Sequence, residues 1–147
     1  MVSSYPGFRF QYGYVQMVAN IPAGTGLWSG LWLAAANLKW PPEIDMLELW
    51  GPPDNKAGVY FHPVKAPFSA DRLNPASRAA IVSGWHTFSI LWTRQQVTWY
   101  IDNQSVLVVS KKIPHQAMYL IANLANYTKT GGCTGQLAIR SVDVWQS

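Results

Sequence analysis

Glu43, Asp45 and Glu48 fall within six residues of an otherwise apolar run, Pro41-Pro42-Glu43-Ile44-Asp45-Met46-Leu47-Glu48-Leu49-Trp50. Charged residues make up only 12% of the chain, and no Lys or Arg lies in this run. Ionised carboxylates in apolar surroundings are costly unless cations or hydrogen bonds compensate them. A strand that carries three of them therefore points to chemistry or to a cation site. In a regular strand Glu43 and Asp45 share a face while Glu48 points away. One β-bulge near Met46-Leu47 adds a residue and returns Glu48 to that face. The outcome is two glutamates with an aspartate between them. Retaining cleavage of a glycosidic bond uses such a pair, one carboxylate as nucleophile and one carboxylic acid, about 5–5.5 Å apart.

The elements that must hold this segment read as strands joined by Gly, Pro, Asn and Asp turns. Val15, Met17, Ala19 and Ile21 alternate with Tyr14, Gln16, Val18 and Asn20, which predicts a half-buried strand ending at Pro22. A turn at Ala23-Gly24-Thr25-Gly26 leads to a Trp-rich strand over 30–34, and Gly51-Pro52-Pro53-Asp54-Asn55 ends the acidic strand. Further strands are predicted at 58–62, 86–93, 97–101, 105–109, 118–125 and 136–144, with Asp102-Asn103 as a tight hairpin turn. Residues 63–83, with Pro67 and Pro75, read as a loop containing at most one short helical turn. The pattern predicts an all-β chain, an antiparallel β-sandwich of the jelly-roll kind. At 147 residues it predicts one domain, since single all-β domains reach about 200–250 residues.

Several blocks together carry a family resemblance. Glu-x-Asp-x-x-Glu at 43–48 resembles the active-site strand of glycoside hydrolase family 16 in its bulged, laminarinase-like form. Gly24-Thr25-Gly26-Leu27-Trp28-Ser29-Gly30-Leu31-Trp32-Leu33 is similar to that family's Gly-Leu-Trp-Pro-Ala-Phe-Trp-Leu segment, with Ser29 in place of Pro. Residues 85–93, 97–102, 118–125 and 142–146 resemble its later blocks, so the match runs from about Tyr12 to Gln146. The resemblance implies a concanavalin-like sandwich and an endo-acting retaining β-glycosidase. Its substrate would be a β-1,3 or mixed β-1,3/1,4 polysaccharide, and Trp40-Pro41-Pro42-Glu43-Ile44-Asp45 is nearest to the family's bacterial exopolysaccharide glycanases. Glu43 would be the nucleophile and Glu48 the general acid/base. Asp45 would be the electrostatic helper, hydrogen-bonded to the nucleophile.

Trp28, Trp40 and Trp50 are candidates for the cleft floor, each with plain packing as the alternative. His62 is a candidate partner of Glu48 or of sugar, or else a surface histidine, and Asn123 is a candidate for reaching the cleft. Trp32, Trp92 and Trp99 read as core or sheet-face residues, and His86 as structural. The family's strands before the segment matched at 12–20 have no counterpart here. This predicts open sheet edges and partly uncovered core. The structural calcium of some relatives is doubtful, because Arg140 stands where they carry an Asp; no cofactor or metal is otherwise implied.

An apolar fraction of 49% supports a core, and 8 Trp in a 14% aromatic content exceeds what packing alone demands. The net charge of +4 is spread out, with Lys111-Lys112 the only adjacent basic pair, which disfavours a nucleic-acid stripe. Cys133 is the only cysteine, so no internal disulfide or Cys-based metal site is expected. The sequence shows no membrane span, and residues 1–4 are not followed by a signal-peptide apolar core. An extracellular setting is implied by the resemblance alone, and the oligomeric state is left open. A lectin-like binding module and a truncated, inactive relative are the competing readings, since one fold serves many functions.

Overall fold

The computed structural model describes residues 1–63, 69–82, 84–128 and 134–146; the expected loop around Pro67 and the lone Cys133 lie outside them. Alternation sets the layers. In chain order the strands are β1 (Val2–Ser3), β2 (Gly13–Asn20), β3 (Leu27–Ala35), β4 (Glu43–Trp50), β5 (Lys56–His62) and β6 (Ser69–Arg72). Helix α1 (Pro75–Ile81) precedes β7 (Trp85–Trp92), β8 (Val97–Ile101), β9 (Gln104–Val109), β10 (Met118–Asn126) and β11 (Ala138–Trp145). They form a six-stranded sheet, β1-β10-β3-β4-β5-β6, and a five-stranded sheet, β11-β2-β7-β8-β9. All pairings between these strands are antiparallel, as the turn-rich sequence predicts.

The inner faces meet in one apolar layer. Leu31, Leu33, Ile44, Leu47, Leu49, Val59 and Phe61 from the first sheet pack with Val15, Met17, Phe88, Ile90, Trp92, Val97 and Trp99 from the second. Trp92 and Trp99 are fully buried core residues, and their indole N–H groups donate to the carbonyls of Pro114 and Asp45. Buried indole donors need such acceptors. The Asp102-Asn103 hairpin has both residues at positive φ, 49° and 65°, the conformation a tight two-residue hairpin turn requires. His86 is structural there: its Nδ1 lies 2.7 Å from Asp102 Oδ2, while Asp102 Oδ1 accepts from Thr87 N.

Two expectations need correction. The stretch read as loop over 63–83 contains β6, paired to β5, while the one short helical turn it allowed is α1. The helix starts where Asn74 Oδ1 accepts from Ser77 N, with Pro75 in its first turn, and it buries Ile81. That N-cap followed by Pro is a local start signal, and the apolar periodicity of one short helix is too brief to reveal it. The first eleven residues also take part: β1 pairs with β10 at Ala122 and Ile121, and Phe10 bridges to Met118. Beyond β1 the flank stays open. Val2, Met17, Leu120, Ala122, Ile139 and Val142 line an apolar groove of about 230 Å³ between the two sheet edges. Arg140 lies with its guanidinium 4.3 Å over the Trp85 ring.

At one end of the six-stranded sheet three connections are tied together. Gly26 N donates to Pro52 O, Gly51 N to Leu27 O, Tyr127 N to Gly26 O and Tyr127 Oη to Gly51 O. Gly51 sits so close to the Gly24 carbonyl that a Cβ there would collide with it.

Candidate active site

The bulge occurs on β4 where the sequence places it. Against β3, Trp32 pairs with Asp45 and Leu31 with Leu47, so Met46 is the extra residue. Met46 and Leu47 both enter the core, with exposures of 1% and 0%. Asp45 and Glu48 thereby emerge on the same outer face as Glu43. The bulge turns the Asp45 carbonyl toward the core, where Trp99 Nε1 reaches it at 2.8 Å.

Register then lays out the outer face in rows across the strands. Glu43 stands between Ala34 and His62, and Asp45 between Trp32 and Tyr60. Glu48 stands between Gly30 and Gly58, and Trp50 between Trp28 and Lys56. The two glycines leave Glu48 without side-chain neighbours along its row. Asn123 lies beyond Gly30 in the same row.

Trp28 and Trp50 stack on each other, with centroids 5.8 Å apart and planes 9° from parallel, and Tyr60 meets Trp50 edge-on. Trp28 Nε1 donates to Glu48 Oε1 at 3.1 Å. Trp40 is at the opposite end, 50% exposed, 5.9 Å from the His62 ring and hydrogen-bonded through its side chain to Glu43. His62 differs from its expected place beside Glu48. Its Nε2 lies 3.7 Å from Glu43 Oε1 and 3.5 Å from Asp45 Oδ2, because β5 pairs His62 with Glu43 and puts Gly58 opposite Glu48. Asn123 does not reach a carboxylate by any described hydrogen bond; its Oδ1 accepts from Trp32 Nε1 at 2.7 Å.

The electrostatics follow from burial. Desolvation, with repulsion from Glu43, pushes Glu48 up to about 7 despite the hydrogen bond from Trp28 that lowers it. Asp45, 2% exposed, is held well above the usual carboxylate range by desolvation and by the charges of Glu43 and Glu48. Its Oδ2 has no hydrogen-bond partner among the described residues, so the expected hydrogen bond to the nucleophile is not made through that oxygen. Desolvation also raises Glu43, and the Trp40 hydrogen bond works against that rise. Burial lowers His62. Three carboxyls of one type of chemistry thus sit in three environments, which is how acid and base roles are separated.

The sequence reading missed Gly30, Gly58 and Tyr60, and it left Trp32 open between core and sheet face. Their roles depend on cross-strand register, which no local pattern of β3 or β5 encodes. The glycines within otherwise strand-like runs were the one available signal.

The model of the glycosyl hydrolases of family 16 matches residues 1–141. The chain belongs to this family. As a family 16 member it is 32% identical over 136 residues to the endo-1,3-1,4-beta-glycanase ExsH of Rhizobium meliloti (strain 1021), covering 92% of this chain and 28% of that protein. The endo-1,3-1,4-beta-glycanase EglC of the same organism matches at the same identity and coverage. The family 16 chain therefore spans under a third of these relatives' length. Its fold is that of the laminarinase catalytic domain from Thermotoga maritima MSB8, with a TM-score of 0.79 at 24% identity, covering 99% of this chain and 68% of that one. The jelly-roll sandwich is thus shared with family 16 laminarinases.

Proposed function

We propose that the chain is an endo-acting retaining β-glycanase that hydrolyses β-1,3 or mixed β-1,3/1,4 linkages in a polysaccharide. The observation that carries this reading is the row arrangement of the acids: Glu43 and Glu48 share one face across the bulge, and Glu48 keeps its proton to about 7. In the first step the Glu48 carboxyl gives its proton to the glycosidic oxygen as the bond from that oxygen to C1 breaks. A Glu43 carboxylate oxygen bonds to C1 in its place. In the second step the Glu48 carboxylate takes a proton from water, the water oxygen bonds to C1, and Glu43 leaves. Two inversions give net retention.

Asp45 supports Glu43 from the next row, where desolvation and the neighbouring carboxylates disfavour its ionised form and so hold down the negative charge facing Glu43. Trp40, half-exposed beside Glu43, and the Trp28–Trp50 pair beside Glu48 bracket the acids and supply aromatic surface on either side for sugar rings. The names of these two relatives, endo-1,3-1,4-beta-glycanases, support a glycan with β-1,3 and β-1,4 linkages as the substrate.

The test is release of new reducing ends from a panel of β-glucans and bacterial exopolysaccharides, with Glu43→Gln as the paired control. Release that the substitution abolishes is the expected result. Binding of a glucan without any release, from a cooperatively folded protein, would replace this reading with a sugar-binding module.

A further inference from the structure

Glu43 Oε1, Asp45 Oδ2 and His62 Nε2 lie together on the outer face, and the hydrolytic steps assign His62 no part. One ligand atom from each lies within 4.8 Å of the others. His62 Nε2 is 3.7 Å from Glu43 Oε1 and 3.5 Å from Asp45 Oδ2. Ligand atoms at about 2.0–2.2 Å from a tetrahedral zinc ion stand about 3.3–3.6 Å apart. Two of the three edges are therefore near that spacing. The third, between the two carboxylate oxygens, is within 4.8 Å, and Glu43, with its side chain 20% exposed against 3% for Asp45, is the freer of the two to adjust.

An independent observation concerns Asp45 alone. Its side chain is almost fully buried, and Oδ2 has no hydrogen-bond partner. An acceptor left unpaired in the interior is costly, and this one lies 3.5 Å from His62 Nε2 within the Glu43–Asp45–His62 cluster. A cation placed there compensates it.

We propose that Glu43, Asp45 and His62 form a binding site for a borderline divalent cation of the zinc class. The donor set decides the class. One imidazole nitrogen with two carboxylate oxygens suits zinc with a fourth position left to water. Magnesium and calcium favour more numerous, all-oxygen ligands. The His62 ligand comes from β5 and the two acids from β4, so the site is set by the direct pairing of Glu43 with His62. An ion seated there takes the Glu43 lone pair that would attack C1. This inhibitory consequence rests on the proposed function, whereas the binding does not.

Calorimetric titration of the metal-free protein with zinc chloride tests the site. One zinc per chain is expected, with no comparable heat from magnesium chloride. His62→Gln should weaken zinc binding by at least about tenfold, the scale seen even when only a ligand's support is removed. Glu43→Gln should weaken it as well and serves if the histidine variant loses its cooperative melting transition. His86→Gln, at the exposed His86–Asp102 contact, should leave it unchanged. The proposal is overturned by an absence of one-site binding, by binding indifferent to both His62→Gln and Glu43→Gln, or by binding lost in His86→Gln. If zinc binds as expected to a folded protein that releases no sugar from any glucan, the site stands and the glycanase reading fails.

Discussion

Glu48 owes its proton to its position rather than to its type. Desolvation and the neighbouring Glu43 raise it to about 7, and the Trp28 indole holds it from going higher. Trp28→Phe removes that donor, so the basic limb of the kcat/KM profile is expected to move to higher pH; a limb that stays or moves down would contradict this. Glu48→Gln is expected to lower kcat by about 10²–10⁴-fold and also to stabilise the fold at alkaline pH. The sign follows from linkage. Between the ordinary value of 4.5 and about 7 the folded state binds more protons at Glu48 than the unfolded state does. Stability therefore falls as pH rises through that window, and the full penalty is present above it. Urea unfolding of Glu48→Gln should show a gain of about 1–3 kcal/mol at pH 8 and almost none at pH 4. The acids themselves were legible in the sequence, because three carboxylates in an apolar run have few structural explanations. Their partners were not, since Trp28 lies 20 residues from Glu48 and meets it only through register.

At the scale of elements, the bulge on β4 is what assembles the site, and the second sheet supports it. The Asp45 carbonyl, displaced by the extra residue, is received by Trp99 from β8 at 2.8 Å. Trp99→Phe keeps most of the packing but strands a buried acceptor directly beneath the acids. We expect a loss of about 1–3 kcal/mol in unfolding experiments, together with reduced kcat; an unchanged kcat in a folded variant would separate the bulge from the chemistry. The bulge was readable because the spacing of the acids demands an odd residue. A strand such as β2 was readable because burial on one face imposes strict alternation. β6 was not, and helix α1 was read only as one short turn within a loop, because each is too short for its period to rise above the surrounding Pro-rich stretch. The His62 contact escaped for a related reason: whether β5 offers His62 to Glu43 or to Glu48 depends on a pairing shift that lies in β4.

Across the whole molecule, the described residues leave an apolar groove between the two sheets at the flank beside β1 and β11. Val142 occupies a core-facing position opposite Met17, yet it is 46% exposed. Val15, on the same inner face, is 0% exposed. Val142→Thr should therefore change stability by less than about 0.5 kcal/mol, whereas Val15→Thr should cost about 1–3 kcal/mol. Equal losses in urea unfolding would mean that the flank is covered in solution. The sequence reading expected an open flank, but the partial cover given by β1 and Phe10 was not foreseen, because two paired residues leave no periodic trace. The opposite end of the sheet has a different character. There the backbones of Gly26, Gly51 and Tyr127 are bonded to one another, while the turn bearing exposed Leu38, Lys39 and Trp40 hangs on the Ala36–Ala117 and Asn37–Gln116 links. Under the proposed function the outer face would work as a vice, with one jaw at Trp50 cross-linked through the backbone and the other, at Trp40, more lightly tied. A polymer chain taken as substrate would then be gauged against the cross-linked side beside Glu48, and the give needed to admit or release it would come from the side of Glu43.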